Sequence, residues 1–500
     1  MTSFWLDGRP APTPSPYGAV SETDTDVVVV GAGITGMVTA VLLARAGKSV
    51  VVLEARSLGA VTTGHTTGKV SLLQGTKLSG ILDVQSERVG RSYVEANREG
   101  QAWLLRLCDD ASIRAERRTA VTYAATPDQR RTVEREHEAA RTLGVPTRWT
   151  EEVDAPFETF GAVALDDQAQ IDPMTALDEL ARQLVEHGGV LREGSRVVSV
   201  SKTGRPQVRT ASGETVTCDD LVLATGTPIL DRGLYFAKLE AQRSYVLLYD
   251  GATAPTSMLL SAGSPSRSLR EVVDADGGSH LMVGGEGHVV GRVSSERKHL
   301  DALRRWTEEH FPGARETHAW SAQDYRSHDG IPYVGALPRG LGRIRLATGY
   351  DKWGLSNGVA AGLRISADIL GGGLAWARPM ERRVTRPRGA AALLTANAKV
   401  GGALALGYLG AETRHADPAP QEGTGSVGRR GLDPVPVATS TVDGTSCARV
   451  GVCTHLGGVL HWNDAESTWD CPLHGSRFAP DGTVLEGPAT RALPTAPGDD

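Results

Sequence analysis

From Asp26 the chain alternates apolar runs with glycine turns. Asp26-Val27-Val28-Val29-Val30 is a β-branched run too short for a helix and suited to a buried parallel strand. Gly31-Ala32-Gly33-Ile34-Thr35-Gly36 follows, and Met37 to Ala46 then offers good helix formers with Gly47 as cap. Ser49-Val50-Val51-Val52-Leu53 reads as a second strand. Further on, Glu87 to Cys108 and Asp128 to Leu143 read as helices with charged, solvent-facing sides. Asp172 caps another, with Pro173 at its first position and Leu177, Leu180 and Leu184 at helical spacing before Gly188-Gly189. Strands are expected at Arg196 to Ser201, Gln207 to Thr210, Leu221 to Ala224 and Ile344 to Thr348. Residues 235 to 325 read as strands and loops around one helix, Ser295 to His310, and a last long helix runs from Ser356 to Leu370.

The first glycine turn reads G-x-G-x-x-G, and Glu54 ends the second strand 18 residues after Gly36. Each part has a task in holding a dinucleotide. Gly31 allows the tight turn, Gly33 lets the backbone approach a pyrophosphate, and Gly36 lets the helix pack on the strand. The helix N-terminus faces the phosphates, and Glu54 is placed to accept hydrogen bonds from a ribose. The competing reading is an ordinary βαβ unit with a glycine-rich turn, in which Glu54 is a coincidence. Two later strand ends, Ala224-Thr225-Gly226 and Thr348-Gly349 leading to Gly354, repeat the small-residue turn. Leu281 to Gly287 imitates a second fingerprint, but no strand ending in an acid follows, so it predicts a strand and loop and no NAD(P) site. Val61 to Lys69 is a hydroxyl-rich loop expected to return to the cofactor, with His65 either a hydrogen-bonding residue or a covalent flavin anchor.

At 500 residues the chain has material for two to four domains, and its net charge of −6 offers no basic field for nucleic acid. Val27 to Ala44 is uncharged for 18 residues, but the glycine fingerprint breaks it as a membrane span. Gly389 to Gly410 is a second apolar stretch, interrupted by Lys399 and glycines, so no integral membrane segment is expected. No signal peptide is evident before Tyr17, and the five cysteines do not form a disulfide framework, which points to the cytoplasm. Cys108, Cys218 and Cys447 are expected as small core residues.

Past a polar, Pro- and Gly-bearing stretch from 411 to 430, the texture changes to short strands and turns. There Cys453-Thr454-His455 and Cys471-Pro472-Leu473-His474 form C-x-H and C-x-x-H with 15 residues between them. A usual zinc finger keeps its cysteines in one pair and its histidines in another. One thiolate and one imidazole from each loop suits a two-iron, two-sulfide cluster in which two His replace two Cys on one iron. Structural zinc stays open as an alternative.

Cys453-Thr-His-Leu-Gly-Gly458 and Cys471-Pro-Leu-His-Gly-Ser476 resemble the Rieske iron–sulfur domain. The resemblance implies metal ligands Cys453, His455, Cys471 and His474, and a sulfide-bonding role for Ser476. Gly458 and Leu473 stand where high-potential members carry a bracing disulfide, and Phe478 where they often carry Tyr. Residues 24 to 370 resemble the D-amino-acid oxidase and glycine oxidase superfamily of FAD enzymes. That implies an α/β fold, a Rossmann-like FAD-binding part with an interleaved α+β substrate part, followed by a small all-β Rieske domain. The implied FAD contacts are Gly31, Gly33, Ile34, Thr35, Gly36, Glu54, Arg56, Thr66, Thr67, Val198, Thr225, Gly226 and Gly354. Lys352 is a candidate to stabilise reduced flavin, and neither Arg243 nor Arg326 is fixed as a substrate-binding arginine. The expected organisation is an extended lead-in over 1–23, the oxidoreductase over 24–385, a linker over 386–430 and the Rieske domain over 431–500.

The expected activity is oxidation of a small amine or amino-acid-like substrate by FAD. Electrons would then pass through the 2Fe-2S cluster to a one-electron acceptor, a protein or a quinone. The rivals are a NAD(P)H-driven reductase feeding the cluster, a Rieske oxygenase, which needs a two-His, one-carboxylate iron site, and a redox sensor without turnover.

Overall fold

The computed structural model describes residues 1–9, 24–201, 203–384, 386–431 and 434–497. The valine run becomes β1 (Asp24–Val30), followed by α1 (Ile34–Arg45) and β2 (Val50–Leu53). β1 pairs in parallel with β2 on one side and with β3 (Thr215–Leu223) on the other, and β3 pairs in parallel with β4 (Ile344–Thr348). Val27 to Val30 are at most 5% exposed, as a strand covered on both faces requires. α1 packs against α2 (Gly354–Ile369) so closely that a Cβ on Gly362 would fall 2.8 Å from Val38 Cγ1. Strands Tyr333–Ala336 and Val190–Arg192 complete the two ends of this sheet.

Between β2 and β3, and again between β3 and β4, the chain leaves to build a second, nine-stranded sheet. Its long pair, Leu239–Asp250 with Arg315–Ser327, is antiparallel over most of its length. This is the interleaving expected of the substrate part. Ser279–Val289 runs as one strand through Gly284 to Gly287, where a strand and loop was expected. Its glycines allow close approach instead: a Cβ on Gly285 would lie 2.4 Å from Ser266 O.

The lead-in is partly anchored. Trp5 is buried in a short 3₁₀ turn, Phe4–Leu6, and its Nε1 donates to the Thr66 carbonyl at 2.7 Å. Residues 10–23 of that lead-in lie outside the described residues. The stretch 386–430, expected as a linker, carries a helix, α3 (Pro387–Thr413), and a strand, Gly425–Gly428. That strand belongs to the three-stranded sheet of the C-terminal domain, so the domain begins before Gly431. A two-residue alternation written in Gly and Ser carries too little apolar signal to mark it. A four-stranded sheet from His461 to Glu486 completes that domain. Cys108 and Cys218 are core residues, whereas Cys447 sits half-exposed on a strand.

Candidate flavin cleft and cluster site

The glycine turn after β1 is built by exclusion. Gly31 has φ +104°, and a Cβ there would lie 2.5 Å from Ala224 O, so β3 closes over the turn. A Cβ on Gly36 would sit 1.9 Å from Gly31 O. Glu54 Oε2 accepts the Ala32 N–H at 2.8 Å, and its Oε1 accepts the Arg56 N–H at 2.8 Å. Burial pushes this carboxyl above its usual range, and the two amides oppose that shift.

A cleft of about 1380 Å³, partly open to solvent, lies over this turn. Gly31, Gly33, Ile34, Thr35, Glu54 and Arg56 line it on the first βαβ side, and Thr66, Thr225, Gly226, Lys352 and Gly354 close it from three other segments. Three expected residues are placed elsewhere. Gly36 serves packing beneath the turn, and Thr67 lines a neighbouring cavity. Val198 does not line the cleft; Val197 does, because neighbours along a strand point to opposite faces. Tyr325 and Tyr350 also line it and were not singled out from sequence; Tyr350 OH lies 2.8 Å from Thr35 Oγ1.

A second cavity of about 1960 Å³, also partly open to solvent, opens beside the first, and Thr62, Thr66, Asp324 and Lys352 line both. Lys69, Lys77, Arg326 and Asp351 also line it. Lys77 Nζ pairs with Asp351 Oδ2 at 2.7 Å. Burial pushes the Asp351 carboxyl up, but the Lys77 and Arg326 charges outweigh it and hold it below the usual range. Asp324 is pushed up to about 7 by burial and by the Asp351 charge. Asp351 and Lys352 have φ +50° and +73°, a rarely populated backbone that aims Lys352 N–H at Asp324. Arg326 faces this space. Arg243 does not; it is fully buried elsewhere. His65 Nδ1 lies 2.6 Å from the Val61 carbonyl, so the loop histidine is hydrogen-bonded.

In the C-terminal domain the four metal-type residues stand in two facing pairs. The His455 and His474 rings are 5.3 Å apart. His474 Nδ1 is buried without a partner, which is the nitrogen a metal would occupy. His455 Nε2 lies 2.9 Å from Asp231 Oδ1, leaving its Nδ1 for a metal and giving the ring the carboxylate partner that ligating histidines use. Backbone amides of His455, Leu473 and His474 and the Ser476 hydroxyl point at the two sulfurs. Among the described residues no three His, Cys, Asp or Glu converge on a single ion, as one structural zinc would need. Two ligands for each of two irons fit this arrangement. A Cβ on Gly458 would lie 2.7 Å from Leu473 Cγ, so the two positions that could carry a bracing disulfide do face each other. Another two-His, one-carboxylate grouping, His288 and His299 with Glu286, is spoken for: both nitrogens of His288 are bonded, to Tyr245 OH and the Val289 carbonyl.

Residues 26–367 match the FAD dependent oxidoreductase family DAO, and residues 421–497 match the Rieske [2Fe-2S] domain. The chain belongs to the FAD-dependent oxidoreductase family and carries a Rieske domain at its C-terminal end. It binds FAD in the first and a 2Fe-2S cluster in the second. YhfW of Bacillus subtilis (strain 168), named as a Rieske 2Fe-2S iron-sulfur protein, is 32% identical over 98% of this chain and 96% of its own. In fold, L-proline dehydrogenase from P. horikoshii is similar with a TM-score of 0.59 at 17% identity, covering 72% of this chain and 98% of that one. Glycine oxidase from Geobacillus kaustophilus is similar with a TM-score of 0.59 at 17% identity, covering 70% of this chain and 96% of that one.

The Rieske domain of this oxidoreductase sits directly on its flavoprotein part. Leu485, Glu486, Gly487, Ala489 and Thr490 form one wall of the flavin cleft. Gln323 Nε2 donates to the Gly475 carbonyl at 2.7 Å and to Tyr325 OH at 3.0 Å, linking a cluster loop to the cleft. Arg243 bonds Glu466 at 2.6 Å and lies 3.6 Å from Asp470, with no exposure of its own. Arg477 adds 2.8 Å to Glu466 and 3.3 Å to Asp470. Burial raises the Glu466 carboxyl, but Arg477 and Arg243 outweigh it and keep it ionised. Removing one member of such a buried network costs about 3 kcal/mol, because the carboxylates stay behind. Arg243→Ala is therefore expected to lower stability by about that amount. It should also speed limited proteolysis in the segment around Glu466 and Asp470 that Arg243 holds, which a digestion time course would detect.

Proposed function

We propose that this oxidoreductase oxidises a small amine or amino-acid-like substrate and delivers the electrons, one at a time, through its Rieske cluster to an acceptor. The observation that carries this reading is the shared wall of the two sites. Ser476, whose hydroxyl bonds Cys453, also accepts the Ala489 N–H at 3.1 Å, and Ala489 lines the flavin cleft. When bound, FAD takes the two electrons of a C–N oxidation and the cluster passes them on singly.

The chain's own residues supply the rest. Arg326 offers a positive charge to a substrate carboxylate in the second cavity. Asp324, with its pKa near 7, can hold or release a proton where the two cavities meet. Lys352, also at that junction, supports negative charge that develops there. The site of action is proposed to be the cytoplasm.

The test is an anaerobic screen of amines and amino acids that watches the flavin band. A substrate should bleach it, and partial bleaching of the cluster band should follow. NADH and NADPH alone should leave both bands unchanged, in keeping with the single dinucleotide fingerprint. Rapid reduction by either would replace this reading with that of a nicotinamide-driven reductase.

A further inference from the structure

Helix α3 is apolar on every side. Its inner face packs on the protein: Val400, Ala403 and Leu404 lie against the Rieske core. Asn397 Nδ2 donates to the Ala237 carbonyl at 2.9 Å, and Tyr408 OH to the Gly457 carbonyl at 3.0 Å. The helix therefore lies across both domains along its length. Its outer face carries Leu394, Leu406 and Leu409 at 72%, 71% and 59% exposure. Ala398, Gly402 and Ala405 fill the space between them. Over its most apolar 18-residue window the helix has a mean hydropathy of 1.3. A helix that is hydrophobic all round is normally covered on all sides, and this one has a side with no protein on it.

Charge at one end says what covers it. Arg88, Arg378, Arg382 and Arg386 line a cavity beside the start of α3, and Arg388 stands in its first turn. Arg383, in the same cavity, is held by Asp329 at 2.5 Å. Among the described residues, the other five have no carboxylate within 4.0 Å. Val384, between these arginines, is 79% exposed.

We propose that α3 is an in-plane membrane-binding helix, with its leucines at the acyl boundary of an anionic phospholipid bilayer and these arginines on the headgroup phosphates. Its inner-face contacts rule out a crossing orientation in this fold. A lipid surface fits better than a protein groove. Between Gly389 and Glu412 the exposed polar side chains are only Thr395, Lys399 and Glu412, too few to fix a partner's register. Leu456, next to the Gly457 that Tyr408 holds, is 43% exposed, so membrane binding would set the first cluster loop close to the bilayer.

The experiment is co-sedimentation of the holoprotein with phosphatidylcholine vesicles, with and without phosphatidylglycerol. Binding is expected only with phosphatidylglycerol, and it should weaken with salt. The combined variant Leu394→Glu, Leu406→Glu, Leu409→Glu should stay in the supernatant. Arg382→Gln and Arg386→Gln should each lower partitioning by about fivefold. All five side chains are exposed, so unchanged flavin and cluster absorbance in the variants serves as the fold control. Absence of the wild type from both vesicles overturns the proposal, as does unchanged binding by the leucine variant. So does a wild-type dimer that the leucine variant converts to monomer without any vesicle binding, since the face would then cover a second copy.

Discussion

Purified Glu54→Arg protein is expected to lose its FAD on dialysis while keeping its iron–sulfur absorbance. The reason goes beyond a lost ribose acceptor. Glu54 accepts the N–H groups of Ala32 and Arg56, so it shapes the turn that faces the pyrophosphate. Arginine has only donors, and it would leave both amides facing another positive group beside Arg56 and Arg196. Two buried donors left unsatisfied cost about 1–3 kcal/mol each, and the ribose bonds are lost as well. A combined loss of about 4 kcal/mol lowers FAD affinity roughly a thousandfold. Glu54→Gln keeps one carbonyl oxygen and should fall between the two. The cluster reports the fold of the C-terminal domain independently, so a colourless protein would indicate misfolding and a flavin-free brown one the expected outcome. If Glu54→Arg retains full flavin absorbance after dialysis, the role given to this carboxylate is wrong.

How far the sequence carried is clearest at particular residues. The strand, turn, helix, strand and acid from Asp26 to Glu54 were readable because each position is fixed by local chemistry: a β-branched run, glycines with no alternative, and an acid at a set distance. The two cluster loops were readable for the same reason. Tyr325 and Tyr350 were not, since Tyr325 is placed by pairing with Ala241, 84 positions back, and Tyr350 follows β4, whose Ile344 pairs with Leu221, 123 positions back. Val198 was placed one residue off because β alternation gives the period but not the phase without a partner strand. The charged interface was invisible as well. Arg243 has no role fixed by sequence, and only the fold brings Glu466 and Asp470, more than 200 positions on, to its guanidinium. α3 was legible as an apolar stretch, but its glycines and Lys399 concealed that it forms one continuous helix whose inner face docks.

Cys471→Ser made beside the intact protein should separate the two halves of the reaction. Cys471 is 2% exposed, and a Cβ on Gly458 would lie 2.9 Å from its sulfur, so the site is tightly enclosed. Serine fits that space and leaves the loop's bonds to Gln323 and Arg292 in place. FAD content and substrate-driven flavin reduction should therefore survive. Even a residue that only braces a metal ligand costs about 10–100-fold when lost, so loss of a ligand should slow transfer to a one-electron acceptor by at least about 100-fold. Intact protein should contain iron and sulfide at about two each per chain, and the variant almost none. The intact cluster's potential is expected in the lower part of the range of about −150 to +300 mV, because Phe478 is buried beside the cluster loops without a hydroxyl to donate. Zinc in place of iron would return the site to a structural role. An acceptor rate unchanged in a variant shown to lack iron would mean that electrons leave the flavin by another route.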